Sequence, residues 1–199
     1  MKVKNWMMTD PVTIERSKLI QEADELMKKH SIRHLPVVEG DQLVGFITQT
    51  DLRQYFFPSM VEDIPVHDVM TVNPITINAN SSIEQAARLI HDYKIGGLPV
   101  MDKKKLVGVI TASDIVSGFI EVMGLLQSST RLDVVVDKEG GVDDVTRIIK
   151  ENNIEIFSVA TESQPSRRKV YYFRLGKGDI NPVVETLEAA GHKVLSVMD

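Results

Sequence analysis

The sequence contains no cysteine. Disulfides and thiolate metal sites are therefore excluded, and the choice of nucleophiles narrows. No apolar run approaches the ~18–20 residues of a membrane span, so no membrane partner is expected. The first residues, Met1-Lys2-Val3-Lys4-Asn5-Trp6, lack the apolar core of a signal peptide, and a cytoplasmic location is the expectation. Basic residues are not in excess: 23 Lys and Arg stand against 28 Asp and Glu, a net charge of −5. Nucleic-acid binders usually carry a basic footprint, so no nucleic-acid partner is expected either. The five histidines (His30, His34, His67, His91, His192) are scattered without metal-ligand spacing. No glycine-rich loop ends in Gly-Lys-Ser/Thr, and no Ser–His–acid set can be picked out. The expectation is a protein that is not an enzyme, with no catalytic residues, no metal and no required cofactor. With 43% hydrophobic and 26% charged residues, the remainder is ordinary for a globular protein.

What is present is a repeat. Gly45-Phe46-Ile47-Thr48-Gln49-Thr50-Asp51 returns as Gly108-Val109-Ile110-Thr111-Ala112-Ser113-Asp114, 63 positions later. The same offset places Pro11 on Pro74, Thr13 on Thr76, Ala23 on Ala86 and Leu35-Pro36-Val37 on Leu98-Pro99-Val100. No gap is needed from Val3/Val66 to Phe56/Phe119. The period exceeds that of common solenoid repeats. Two tandem units suggest a pseudo-two-fold module in which each half covers the apolar face the other leaves open.

Each unit reads β-α-β-β-α. In the first, Val12-Thr13-Ile14 is a short strand after Pro11, and Ser17 caps a helix of about a dozen residues with Ile20, Ala23, Leu26 and Met27 inward. Ile32–Val38 and Leu43–Thr48 are strands around the turn Glu39–Gln42, and a helix runs from Thr50 to Phe56. A link at 58–65 follows. In the second unit Ser81-Ser82-Ile83-Glu84 is a capping-box pattern. Its helix carries a buried stripe of Ile83, Ala86, Ala87, Ile90 and Tyr93. Lys103-Lys104-Lys105 makes a solvated turn. The last helix spans Asp114–Met123 and breaks at Gly124. A polar stretch, 127–130, precedes a tail of βαββαβ order: strands at Leu132–Val136, Ile154–Thr161, Val170–Leu175 and Lys193–Val197, helices at Val142–Asn152 and from Asn181. The chain is thus α/β (α+β), with units at 1–62, 63–126 and 130–199.

In Thr48-x-x-Asp51 and Thr111-x-x-Asp114 the threonine ends an apolar strand and the aspartate sits in the first turn of a helix. Such a helix start presents unpaired N–H groups and suits an anion. An ionised carboxylate accepts two hydrogen bonds, the pattern of a vicinal diol such as ribose. Together these suggest a nucleotide held at base, sugar and phosphate. The same residues also serve as plain helix caps, and Thr50 and Ser113 could do so too. The pattern leaves both uses open.

Two copies of apolar-x-x-Leu-Pro-Val, a turn, and Leu-Val-Gly-x-Ile-Thr-x-(Thr/Ser)-Asp-(Leu/Ile) resemble a tandem pair of CBS domains, a Bateman module, over about residues 1–124. The resemblance implies two β-α-β-β-α repeats forming one module. It implies an adenine nucleotide (AMP, ADP or ATP, or NAD or S-adenosylmethionine) as regulatory ligand in clefts between the repeats, and a homodimer. The family's ribose-binding aspartate falls on Asp51 and Asp114, and its hydroxyl near phosphate on Thr48 and Thr111. Side chains before Leu-Pro, which touch phosphates in the family, fall on Arg33 and His34. The second repeat has Gly96 and Gly97 there, a departure bearing on whether both clefts fill. Pro36, Pro99, Thr13 and Thr76 match positions lining the clefts.

The tail resembles a ferredoxin-like ACT domain in its element order and its glycine loop. In that family an amino-acid effector binds the first strand–helix loop, here Asp137, Gly140 and Gly141. A CBS pair followed by an ACT-like domain is similar to acetoin utilization proteins of the AcuB type. The resemblance implies a regulatory sensor in acetoin or related carbon metabolism, acting on a partner enzyme, with the helix at Asp114–Met123 as lever. The alternative is an amino-acid-responsive regulator that senses through the tail, with the CBS pair as dimerisation scaffold.

Overall fold

The structure is a computed structural model that describes residues 1–55, 63–127, 129–136, 141–162 and 169–198. In the first repeat β1 (Met8–Thr9) and β2 (Ile14–Glu15) precede α1 (Ile20–His30), β3 (His34–Glu39), β4 (Gln42–Thr48) and α2 (Gln49–Arg53). The second replays it as β5 (Thr71–Val72), β6 (Ile77–Asn78), α3 (Ile83–Tyr93), β7 (Gly97–Asp102), β8 (Lys105–Thr111) and α4 (Ala112–Val122). The expected β-α-β-β-α order is present in both. The two-residue strands β1 and β5 are additions that the spacing does not predict. Phe56 and link residues 58–62 lie outside the described residues.

Each repeat has its own core. Ile20, Ala23 and Met27 recur at helical spacing on α1 and pack with Leu35, Val37 and Ile47 of the sheet. Ile83 and Ala86 of α3 meet Leu98, Val100 and Ile110. Tyr93 does not join this stripe and is 60% exposed. The caps also differ from expectation. Helix α1 starts two residues after the Ser17–Lys18 turn; Leu19 is its N-cap, and its N–H donates to Glu22 Oε1 at 3.3 Å. In α3 the cap is Ser82, whose Oγ accepts from Gln85 N–H at 3.1 Å, one position along from the Ser81…Glu84 pairing.

The two sheets are completed by exchange. β1 of the first repeat pairs with β8 of the second, giving the order β1-β8-β7-β6. β5 of the second pairs with β4 of the first, giving β2-β3-β4-β5. This explains the glycine of each Leu-Val-Gly. A Cβ on Gly45 would lie 2.2 Å from Met70 Sδ, and one on Gly108 2.6 Å from Met8 O and 2.7 Å from Met7 Sδ. The exchanged segments lie directly on bare backbone. Backbone conformation also repeats: Ser31 and Lys94 end α1 and α3 with φ of 54° and 56°.

The chain divides into two compact units, 1–116 and 117–199, with the division inside α4. The last turns of α4 belong with the tail because Ser158 Oγ donates to Met123 O at 2.9 Å, and Gly124 lies against Phe157. Beyond them the tail contains β9 (Thr130–Val136), α5 (Gly141–Glu151), β10 (Ile156–Thr161), β11 (Lys169–Leu175), α6 (Asn181–Ala189) and β12 (Lys193–Met198). Its antiparallel sheet has the order β10-β11-β9-β12, a split βαβ arrangement. Pro182 stands in the first turn of α6, and Gly191, with φ of 87°, follows its end. Leu132, Val134 and Phe173 pack with Val145, Ile149, Val183 and Leu187 of the two helices. On the other face the buried Asp133 takes two bonds from Arg131, at 2.7 and 3.0 Å, and one from Ser196 at 2.8 Å.

Candidate functional site

In both repeats an apolar strand delivers a threonine to the start of a helix. Thr48 N–H and Thr48 Oγ1–H each donate to Asp51 Oδ2 at 2.8 Å, and Asp51 N–H returns a bond to Thr48 Oγ1 at 3.3 Å. In the second repeat the corresponding distances between Thr111 and Asp114 are 2.8, 2.7 and 3.4 Å. Thr48 and Thr111, rather than Thr50 and Ser113, are therefore the residues that cap. In each case the capping bonds use one carboxylate oxygen. Oδ1 carries none of the bonds to Thr48 or Thr111.

Both motifs line one cavity of about 780 Å³ within residues 1–116. Arg33, His34, Thr48, Asp51, Gly97, Thr111 and Asp114 from the sequence expectation are brought together there. Thr13, Thr76, Pro36 and Pro99 do not line it. Pro36 and Pro99 are buried inside β3 and β7, two residues, or about 7 Å, farther along each strand from the cavity end. Thr13 and Thr76 immediately precede β2 and β6, and Thr76 is exposed. In the tail, Asp137 and Gly140 lie outside the described residues. Gly141 is the buried first residue of α5, where a Cβ would lie 2.4 Å from Val136 Cγ1; close packing alone demands glycine there.

The cavity also holds residues the motif did not single out. Phe46 and Val109 sit at matching positions on β4 and β8, and Met8 and Thr71 on the exchanged strands. The repeat offset is the signal that pairs them. Lys94 and Arg53 join Arg33 as cations on the lining. Lys94 supplies the second repeat with a charge that Gly96 and Gly97 lack. Helix α2 is five residues long, so side-chain cations carry more of the attraction for an anion than its dipole does.

His34 is half-buried, with its ring stacked on Phe46 at 5.8 Å and 20°. Burial holds its pKa below the ordinary imidazole value and Arg33 adds to this, while Asp114 and Asp51 pull the other way. The ring also reaches the second repeat. A Cβ on Gly96 would stand 2.6 Å from His34 Nε2, and one on Gly97 3.5 Å from Cδ2. Among the described residues no group of three His, Cys, Asp or Glu side chains is placed to hold a metal. No helix among them is long and apolar enough to cross a membrane.

The chain matches the family model of the CBS domain twice, over residues 3–57 and 66–121. It is 34% identical over 114 residues to the CBS domain-containing protein YhcV of Bacillus subtilis, covering 57% of this chain and 81% of YhcV. It is 33% identical over 115 residues to the inosine-5'-monophosphate dehydrogenase of Korarchaeum cryptofilum, covering 57% of this chain and 23% of that much longer enzyme. Among solved structures, the CBS domain pair of MJ0100, in complex with 5'-methylthioadenosine and S-adenosyl-L-methionine, superposes with a TM-score of 0.55. It is 31% identical and covers 60% of this chain and 95% of its own. CBSX2 in complex with AMP gives 0.55 at 27% identity, over 61% of this chain and 97% of its own. A Vibrio cholerae protein given the acetoin-utilization name AcuB gives 0.56 at 32% identity, over 65% and 97%.

Proposed function

Because this chain belongs to the CBS-domain family, we infer that it is a non-catalytic regulatory protein whose cavity takes an adenine nucleotide or a related adenosyl compound. The observation that carries this is the pair of Thr-x-x-Asp capping boxes on one cavity. Each leaves Oδ1 free of its capping bonds, an acceptor suited to a ribose diol. Phe46 and Val109 offer apolar surface for a base, and Arg33, Arg53 and Lys94 offer counter-charge for phosphate. MJ0100's CBS domain pair with 5'-methylthioadenosine and S-adenosyl-L-methionine, and CBSX2 with AMP, support an adenosyl compound as the ligand class. The ligand shifts the protein between arrangements only insofar as it binds one better. Helix α4 begins at the cavity and continues past residue 116, which suits it to carry that shift.

The wider assignment has the repeats at 1–62 and 63–126 and a ferredoxin-like, ACT-like domain at 130–199. It makes the protein a cytoplasmic homodimer acting on a partner enzyme, and the likeness to AcuB supports a link to acetoin or related carbon metabolism. The test is calorimetric titration with AMP, ADP, ATP, NAD and S-adenosylmethionine. Saturable binding of at least one is expected; a folded protein that binds none of the five refutes the nucleotide assignment. The tail's strand order favours a second function, amino-acid sensing by an ACT-like domain. Saturable binding from an amino-acid panel, lost on Gly140→Val, would support it.

A further inference from the structure

The repeat supplies an internal control for charge. The turn between β7 and β8 is Lys103-Lys104, followed by Lys105; its counterpart in the first repeat is Gly40-Asp41, followed by Gln42. Lys103 and Lys104 hold φ of 45° and 67°, and Gly40 takes 58° at the position of Lys103. Left-handed backbone favours glycine or asparagine, so the second repeat keeps lysine against the preference of the turn. Two more lysines come to the same end. Lys4 N–H donates to Ala79 O at 2.9 Å, Ala79 N–H donates to Met101 O at 3.0 Å, and Lys2 bridges Ser82. Their counterparts in the first repeat are His67 and Pro65. All five lysines are exposed, and no ion pair among the described residues engages them. Segments 2–4, 79–84 and 101–105 set only Asp102 and Glu84 against them. In the matching segments of the first repeat the cations are paired, Arg16 with Glu39 at 3.5 Å and Lys18 with Glu22 at 2.9 Å.

We propose that this end of the second repeat, formed by Lys2, Lys4, Lys103, Lys104 and Lys105, docks a short acidic segment of a partner protein. Lysine offers single point charges on flexible stems, without the planar fork by which arginine grips a phosphate through two bonds. Carboxylates spaced along a pliable chain match that surface. An extended polyanion matches it poorly. Apart from these lysines the chain carries −10, the −5 of the whole less five positive charges, and a duplex or an anionic lipid plane would face that remainder too. The surface is separate from the cavity: Lys105 opens β8 at the turn, and Thr111 closes it at the cavity, about 20 Å along the strand. It stands whether or not the cavity takes a nucleotide.

The experiment is fluorescence anisotropy of a labelled oligoglutamate of about a dozen residues, titrated with the full chain at low ionic strength, where exposed charges are least screened. Saturable binding is expected. Lys103→Gln, Lys104→Gln and Lys105→Gln together should weaken it roughly 3- to 100-fold, as the loss of three exposed charge contacts would. Lys28→Gln, Lys29→Gln and Lys177→Gln remove the same charge from exposed positions elsewhere and should leave binding within about twofold. Circular dichroism checks that each variant is folded. Lys2→Gln with Lys4→Gln, on a separate segment, should also weaken binding and decides the matter if the first triple variant fails to fold. No saturable binding, no weakening by the patch variants, or equal weakening by the two triple variants overturns the docking surface. Tighter binding of a DNA duplex or of phosphatidylserine vesicles than of the peptide overturns the acidic segment as its occupant.

Discussion

Changing Asp51 to asparagine separates a helix cap from a ligand contact. Both capping bonds fall on Oδ2, from Thr48 N–H and Thr48 Oγ1–H. At this third helical position of the capping box, asparagine retains one side-chain oxygen for those bonds but loses the negative charge that favours a helix start, worth about 0.3–1 kcal/mol. The expected stability cost is therefore below about 1 kcal/mol, against roughly 0.5–2 kcal/mol for Asp51→Ala. In the cavity the change is larger. Oδ1 becomes an amide NH₂, a donor where the diol needs an acceptor. A hydrogen bond to a charged group is worth about 1.5–3 kcal/mol. At 1.4 kcal/mol per factor of ten, AMP binding should weaken roughly 10- to 100-fold. Paired measurements decide the matter: unfolding in urea for the cap and calorimetric titration with AMP for the contact. If Asp51→Asn and Asp51→Ala bind AMP like the wild type while Asp51→Ala loses stability, the carboxylate is a cap and nothing more.

Three further outcomes are expected. Gly45→Ala should destabilise by about 1–3 kcal/mol through overpacking, since its Cβ would meet Met70 Sδ at 2.2 Å. Met70→Ala in the same chain should recover part of that loss, and additive costs in the double-mutant cycle would refute the contact. Lys103 and Lys104 occupy the β7–β8 turn with φ of 45° and 67°, so replacing them with Asn-Gly should stabilise by about 1 kcal/mol; an unchanged or lowered Tm counts against this turn geometry. In the tail, hydrogen bonds from His192 and Arg147 hold the Asp144 carboxyl below its ordinary pKa. A depressed carboxyl contributes stability above its unfolded value near 3.9 and loses it as pH falls through the folded value. Asp144→Asn should therefore flatten the acid limb of stability against pH, read by denaturant titration from pH 6 downwards.

Much of the first 120 residues is legible in the chain because a repeat carries its own check. The offset marks Thr48 and Asp51 as counterparts of Thr111 and Asp114, but their spacing leaves cap and ligand contact both open; that all four border one cavity is visible only in the structure. The strand exchange could not be read either, because β1 and β5 are two residues each and too short to show a period of two. Gly45 and Gly108 are visible as motif glycines, but their reason, Met70 and Met7 lying on them, exists only once the sheets are paired. His34 shows the same limit. Its sequence neighbours place it beside Thr48, and its ring rests on glycines 62 and 63 positions away. Lys94 escaped notice because its backbone role, ending α3 with a left-handed φ, gives no hint that it borders the cavity.

The exchange of β1 and β5 also sets a timetable for synthesis. The sheet of the first repeat is complete once Thr71 and Val72 have emerged, 25 residues or so after their partners Phe46 and Gly45. The sheet of the second waits longer: Met8 pairs with Val109, which is made about a hundred positions after it. At roughly 5–20 residues per second that is about 5–20 s in which β1 has no partner to pair with. Two halves built on one repeated pattern therefore become structured at different moments. The first half of the cavity, with Asp51, is in place before the second half, with Asp114, has left the ribosome.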